Sequence, residues 1–415
     1  MPIATLVEEV LGSDLPIGVE AYDGSRTGPP DAPAKLVVRS PDAVRRIVTA
    51  PGELGFGRAY VAGDIEIEGD IFDALALREQ ITSLRMEPRT WLHALKVVGL
   101  AGLRPIRPPA EEARLHGRLH SKERDAAAIA HHYDVSNDFY RIVLGPSMTY
   151  SCAVWADPDV GLERAQAAKH ELVCRKLGLE PGMRLLDVGC GWGSMVIHAA
   201  QHHGVHAVGV TLSRRQAELA SKRVAESGLS DRVEIRVQDY RDVDDGPYDA
   251  ISSIGMFEHV GLKMLRVYFD RLLSLLRPGG RLLNHAISRP DGRKPRVSPR
   301  GFIARYVFPD GELHEVGAVT TALQQSGFEA RHMESLREHY SLTLRAWVRN
   351  LERDWAAAVA EVGAPRARVW RLYMAASAVN FDANTIQVNQ VLGVKPDGTR
   401  SGMPLRPRFE DAVSV

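Results

Sequence analysis

Cysteine is scarce. The three in 415 residues, Cys152, Cys174 and Cys190, form neither a disulfide framework nor a metal-ligand spacing, so no metal is expected. So few thiols suit a reducing cytoplasm. Net charge is missing too, because 52 basic residues balance 52 acidic ones. That removes the basic footprint of a nucleic-acid-binding domain and leaves attraction to anionic lipid to local patches. No apolar run reaches the roughly 20 residues that span a bilayer, and the N-terminus lacks a basic segment followed by an apolar core. No internal repeat or low-complexity stretch is present. The expectation is a cytoplasmic globular protein, 45% hydrophobic and 25% charged, long enough for two domains. Any membrane contact is made from its surface.

Periodicity organises what is there. Residues 1–87 read as a small α+β domain. Lys35-Leu36-Val37-Val38-Arg39 predicts a strand, and Ser40 caps the next helix with Pro41 at its first position, where a missing N–H costs nothing. Phe56-Gly57-Arg58-Ala59-Tyr60 continues the unit, and Asp64-Ile65-Glu66-Ile67-Glu68 alternates as a half-exposed strand does. Ile71 to Leu84 predicts a helix. Residues 88–125 read as a linker. Trp91, Leu92, Leu95, Val98 and Leu100 form a short apolar face flanked by Arg85, Arg89, Lys96, Arg104 and Arg107. This fits an interfacial helix on lipid or, more commonly, a helix packed between domains. Residues 126–415 alternate strands with helices, the pattern of a mostly parallel α/β sheet covered on both faces. Leu344 to Val362 and Arg366 to Phe381 predict long helices that form a lid or wall.

The centre of that domain is Leu185-Leu186-Asp187-Val188-Gly189-Cys190-Gly191-Trp192-Gly193-Ser194. An apolar strand from Met183 to Val188 runs into a glycine-alternating turn and then a helix, so the backbone turns sharply and a ligand approaches it closely. A second strand, His206 to Val210, ends near Thr211 and Gln216, where a dinucleotide fold places an acidic residue for ribose. A third, Val233 to Val237, ends at Asp239 and Tyr240, a carboxylate and a ring suited to adenine. A fourth, Tyr248 to Ile254, ends in Gly255-Met256-Phe257-Glu258-His259-Val260-Gly261. The fifth, Arg281 to Asn284, precedes His285-Ala286-Ile287-Ser288. Ligands in such sheets sit beyond the carboxyl ends of the strands, and the residues found there favour S-adenosylmethionine over NAD.

Two further stretches precede the turn, His131-His132-Tyr133-Asp134-Val135-Ser136-Asn137-Asp138-Phe139-Tyr140 and Thr149-Tyr150-Ser151-Cys152-Ala153-Val154-Trp155. With Asp239-Tyr240-Arg241-Asp242 and the Met-Phe-Glu-His-Val-Gly segment, they make the chain resemble the cyclopropane-fatty-acyl-phospholipid synthase family over nearly its whole length. The resemblance implies a Rossmann-like S-adenosylmethionine-dependent methyltransferase sheet with a helical lid, plus a small N-terminal α+β domain for lipid presentation or dimerisation. It implies transfer of one carbon to the cis double bond of a membrane phospholipid acyl chain at the inner face of the cell membrane. Arg305 to Glu315 and Val388 to Leu392 look most like the branch that makes tuberculostearic acid precursors. Members of that branch act on oleoyl chains and yield a 10-methylene product, which a separate reductase converts to 10-methyl. The alternatives are a cyclopropane ring on the same double bond or, more remotely, methylation of a soluble small molecule.

The resemblance also implies residue roles. Bicarbonate serves as general base, held by Glu258, His285 and Tyr340 with the backbone at Cys152 and Ile287. For the cosubstrate, Gly189 and Gly191 shape the turn, Tyr133, Tyr150 and Ser151 cover the amino-acid end, Thr211 and Gln216 take the ribose side, and Asp239 and Tyr240 the adenine side. Asp187 orients the turn. Each has a plainer reading: Glu258 as a helix cap, His285 as a hydrogen-bonded core histidine, Tyr340 as a structural hydrogen-bonder, and Cys152 as a small packing group.

Overall fold

The computed structural model describes residues 2–12, 15–75, 92–94, 96–97, 99, 104–113, 136–290, 301–309 and 311–409. Two units emerge. One comprises Met1–Arg114, Ser298–Pro309 and Leu351–Val379, and the other Leu115–Val297, Asp310–Asn350 and Asn380–Val415. Where composition drew contiguous boundaries near 87 and 126, the fold draws a discontinuous one. A linear reading cannot see that two later segments return to the first unit.

In the first unit, β1 (Gly18–Ala21), β2 (Arg26–Thr27), β3 (Ala34–Val38) and β4 (Ile65–Gly69) lie in the order β2-β1-β3-β4. Strict alternation on β3 buries Ala34, Leu36 and Val38, and its antiparallel register sets Leu36 opposite Ile67 and Val38 opposite Ile65. The helix Pro41–Thr49 starts as expected, with the Ser40 hydroxyl accepting from the Asp42 N–H at 3.2 Å. That hydroxyl also donates to Asp64 at 2.7 Å, so the cap is tied to the turn before β4. Phe56–Tyr60 lies within the helix Glu53–Ala62. Arg371, far along the chain, donates to the Tyr60 hydroxyl at 3.0 Å and to Glu352 at 2.7 Å.

Of the helix expected from Ile71, Ile71–Ala74 is described. Within the linker face Leu92 is exposed and Ala94 buried. Trp91, Leu95, Val98, Leu100, Arg85 and Arg89 lie outside the described residues.

Among the described residues the second unit is built on seven strands. They are β5 (Arg184–Val188), β6 (His206–Thr211), β7 (Val233–Val237), β8 (Tyr248–Ile254), β9 (Leu276–Ser288), β10 (Glu329–Ser335) and β11 (Gln387–Val394), in the order β10-β11-β9-β8-β5-β6-β7. From β7 to β9 all pairings are parallel, and β11 and β10 close the sheet antiparallel. Strand order reverses between β5 and β8, the switch point where such sheets open a crevice. Apolar residues on successive positions bury both faces, as central parallel strands require. Leu186, Val208, Ile251 and Leu282 pack with Phe257, Tyr268 and Phe269 on one side, and Leu185, Ala207, Ala250 and Leu283 with Val173, Val196 and Ala199 on the other.

The fifth strand is longer than the expected Arg281 to Asn284. Pro278-Gly279-Gly280 reads as a breaker, and polar residues from His285 onward end the apolar run, yet β11 pairs with β9 from Arg281 through Ser288. The long helices also start earlier. They run Arg337–Arg353 and Trp355–Asp382, the second broken at Gly363 (φ 78°) just ahead of Pro365. Among the described residues no helix is long and apolar enough to cross a membrane.

The doubly bonded cap in the first unit gives a direct test. Ser40→Ala is expected to destabilise that unit by about 1 kcal/mol, read as a lower urea midpoint with an unchanged slope, while Ser40→Thr, which keeps a hydroxyl to accept from Asp42 and donate to Asp64, largely preserves it.

Candidate active site

The carboxyl ends of β5 to β8 surround one cavity. After β5 the turn carries Gly189 at φ 81° and Gly191 at φ 54°, both lining the cavity. A Cβ on Gly189 would sit 3.0 Å from the Met256 Cβ, so only glycine fits at this left-handed position. The N–H groups of Gly189 and Cys190 both donate to the Val210 carbonyl, at 2.9 and 3.0 Å, which anchors the turn on β6. Arg223 braces it from outside, donating to the Trp192 carbonyl at 2.6 Å and to the Ser147 carbonyl at 3.0 Å.

The other predicted residues arrive from three directions. At the end of β6, Thr211 donates to the Gln216 side-chain carbonyl at 2.8 Å, which orients the amide, and both line the cavity. Beyond β7, Asp239 and Tyr240 line it as well. The Asp239 carboxylate is engaged by Arg241, which donates to it from its backbone and guanidinium at 2.9, 2.8 and 2.6 Å. It meets a ligand already paired. Tyr150 and Ser151 form the opposite wall, the Tyr150 ring lying 5.3 Å from that of Trp347. Tyr133 lies outside the described residues.

Asp187, expected to orient the turn through backbone N–H groups, instead accepts from the Ser252 hydroxyl at 2.6 Å and sits near Lys169. Burial pushes its carboxyl up to about 6 and pushes the Lys169 ammonium down to about 8. Lys169 lines the cavity and donates to the Ser151 hydroxyl at 3.2 Å, a feature that sequence reading missed. Its signal was faint. Ala165, Gln166, Lys169 and Val173 are all buried along the helix Leu162–Leu177, so two polar residues share an otherwise apolar stripe.

The residues expected to hold a base sit outside this lining. Glu258 follows β8 in the short turn Phe257–His259 and makes no cap. Its Oε1 reaches β9 and accepts from the Ile287 N–H at 2.7 Å, while its Oε2 is enclosed without a hydrogen-bond partner. The Ile287 N–H expected to face a bicarbonate is therefore spent on Glu258. His285, paired in register with Ile254, is held through a relay. Lys176 has only protons to give and donates to the Gln390 Oε1 at 2.6 Å, so the Gln390 amide nitrogen donates to the His285 Nδ1 at 3.2 Å. The neutral imidazole then carries its proton on Nε2, and that atom is buried without a partner. Burial, followed by Lys169 and Lys176, holds His285 down to about 3.

Tyr340 is buried against Phe381 at 4.8 Å and edge-on to Trp347 at 6.0 Å. Cys152 is buried as a thiol, its Sγ against the Ala153 carbonyl at 3.2 Å, and burial pushes its ionisation well up. None of Glu258, His285, Tyr340 and Cys152 lines the cavity itself, but their chain neighbours Ser151, Met256 and His259 do.

The family model of the mycolic acid cyclopropane synthetases matches residues 120–391. A probable fatty acid methyltransferase of Mycobacterium tuberculosis is 50% identical over 408 residues, covering 95% of each chain. The chain belongs to the cyclopropane synthase family of S-adenosylmethionine-dependent methyltransferases. The Escherichia coli cyclopropane-fatty-acyl-phospholipid synthase is 35% identical over 362 residues, covering 87% of this chain and 88% of its own. A mycolic acid cyclopropane synthase solved with SAH and CTAB superposes with a TM-score of 0.61 at 34% identity, covering 65% of this chain and 97% of that one.

For a cyclopropane synthase relative, the charge state of Glu258 matters. Although the residue is not wholly buried, its Oε2 is enclosed, and burial raises the carboxyl to about 7. A folded pKa above the unfolded value means the fold favours the protonated form. That stability is fully present below about 4.5 and is lost as pH rises toward about 7. The stability difference between wild type and Glu258→Gln, measured by denaturant titration in bicarbonate-free buffer, is therefore expected to fall by on the order of 3 kcal/mol across that window. A difference that stays flat with pH would show that the carboxyl is not perturbed.

Proposed function

We propose that this enzyme transfers a one-carbon unit from S-adenosylmethionine to the cis double bond of an unsaturated phospholipid acyl chain, oleoyl, giving a 10-methylene chain. The observation that carries this reading is the pair of enclosed, unpartnered atoms at the end of β8 and on β9: an acceptor on Glu258 and a donor on His285. Bicarbonate fits such a pair, since it offers one O–H to the carboxylate and oxygens to the imidazole N–H. Held there by Glu258 and His285 with Tyr340 completing the site, it would supply the base for loss of the methyl proton.

The chain's own residues do the rest. An alkene is a poor nucleophile, so the cavity must hold the sulfonium methyl in line with the π bond and exclude water. The cosubstrate is held by the glycine turn, the Thr211–Gln216 pair and the Tyr150–Ser151 wall, with Tyr240 on the adenine side. Methyl transfer leaves a cation on the neighbouring carbon, which the buried polar groups stabilise. A protein carboxylate touching that cation would be alkylated by it. The enclosure of Glu258 behind the cavity wall supports its role as a holder of the base rather than the base itself.

The product follows from what happens to the cation. A hydride shift from the methylated carbon, then loss of a methyl proton, gives an exocyclic methylene. Direct loss of a methyl proton closes a ring. The methylene reading is supported by the two segments that carry the branch resemblance, because both touch the base site. The Glu312 N–H donates to the Glu258 carbonyl at 3.1 Å, and Gln390 orients His285. The half-identical M. tuberculosis relative carries the name of a fatty acid methyltransferase. The ring-forming alternative is favoured by the E. coli relative, a cyclopropane synthase that matches along most of the chain. We place the enzyme on the inner membrane surface as a homodimer, with the first unit presenting lipid or joining subunits and a separate reductase consuming the methylene product.

Purified enzyme incubated with methyl-labelled S-adenosylmethionine and oleoyl phospholipid vesicles is expected to put label in the lipid fraction. Label confined to soluble acceptors would favour a small-molecule methyltransferase and sink the lipid reading. Glu258→Gln is expected to bind the cosubstrate normally and turn over about a hundredfold or more slowly, and bicarbonate depletion of the wild type is expected to slow it similarly. Proton NMR of the recovered fatty acid separates the products, with downfield vinylidene signals expected. Upfield ring signals alone would establish the cyclopropane instead.

A further inference from the structure

We propose that a zinc-class divalent ion binds between the helices Leu162–Leu177 and Ser194–His203, outside the cavity, through Cys174, His198 and His203 with Glu171 as the fourth ligand. One ligand atom from each of Cys174, His198 and His203 lies within 4.8 Å of the others. The Glu171 Oε2 lies 2.9 Å from the His203 Nε2 and 3.5 Å from the His198 Nε2. One sulfur and two imidazole nitrogens are three points of the kind tetrahedral zinc takes, and the Glu171 oxygen beside both imidazoles closes in as the fourth. The spacing of the three cysteines along the chain does not reveal it, because the ligands come in pairs from two helices.

A purely structural cluster would satisfy its own polar atoms. This one does not. His203 occupies the Glu171 oxygen at 2.9 Å, and the buried His198 Nε2 stands 3.5 Å from the same oxygen without the geometry of a hydrogen bond. Buried polar atoms are seldom left so, and an ion at the centre would use that nitrogen. On binding, the Cys174 S–H proton passes to solvent as the metal–sulfur bond forms.

The position gives the ion something to do. The residues before Glu171, Lys169 and His170, line the active-site cavity, and the helix Ser194–His203 begins directly after the glycine turn. An ion joining the two helices pins that turn against the Lys169 wall, so the metal stiffens the cosubstrate site without touching it.

The test uses tag-free, full-length protein stripped with EDTA and titrated with Co²⁺. A saturable signal at one ion per chain is expected, with an ultraviolet sulfur-to-cobalt charge-transfer band and visible bands of tetrahedral intensity, both abolished by Zn²⁺. Cys174→Ser is expected to lose the charge-transfer band while keeping weaker visible bands. His198→Ala and His203→Ala are expected to weaken binding at least about tenfold, and His206→Ala to leave it unchanged. Circular dichroism of each variant checks that it is folded. Absence of a saturable band in the folded wild type would overturn the proposal. So would a charge-transfer band that survives Cys174→Ser, or wild-type binding by folded His198→Ala and His203→Ala.

Discussion

The hydrogen bond from the Ile287 N–H to the Glu258 carboxylate, 2.7 Å long, ties the turn after β8 to the far end of β9. Almost everything distinctive about the second unit leans on it. It fixes one carboxylate oxygen and leaves the other enclosed. It also requires β9 to run on to Ser288, which requires β11 to lie alongside it. From β11 comes Gln390, and through Gln390 the choice of which His285 nitrogen bears the proton. A shorter β9 would leave Ile287 unpositioned and the carboxylate without its donor.

The same region concentrates groups that burial normally forbids. Lys169, Lys176, Asp187 and His285 are all almost fully buried, and an unpaired buried charge is costly. Each is managed differently. Lys176 is paired with Glu334 and Gln390. Lys169 and Asp187 are brought towards each other in pKa, to about 8 and about 6, with Ser151 and Ser252 as hydrogen-bond partners. His285 gives up its charge altogether. Such spending of stability at one end of a sheet marks a site rather than a core.

Membership of the cyclopropane synthase family rests on a match along most of the chain, and the fold shows what the motifs do in their positions. The glycine turn and the Met-Phe-Glu-His-Val-Gly turn stand on either side of the switch between β5 and β8. The first shapes the cavity, and the second closes it with Met256 in front and carries Glu258 behind. The division into two discontinuous units shows that residues near 302 and 371 serve the first unit although they lie beyond the cavity motifs in the chain.

Much of this was legible in the residues alone, because it depends on local rules. Four strand ends, the glycine turn, the Ser40 cap and the clustering of Thr211, Gln216, Asp239 and Tyr240 around one cavity follow from apolar periodicity and from where strands stop, while Tyr150 and Ser151 were placed there by the family resemblance alone. Glycine is required at 189 by its own backbone angle. What only the tertiary structure decided depends on partners distant in sequence. Nothing local says that β11 pairs with β9, so neither the length of β9, the Gln390 relay nor the use of the Ile287 N–H on Glu258 could be read beforehand. Lys169 looks like a solvated lysine until β5 places Asp187 beside it. Cys174 looks like an isolated thiol until helix packing sets two histidines against it. Periodicity assigns a residue to a face, but only the packed sheet and helices determine what that face meets.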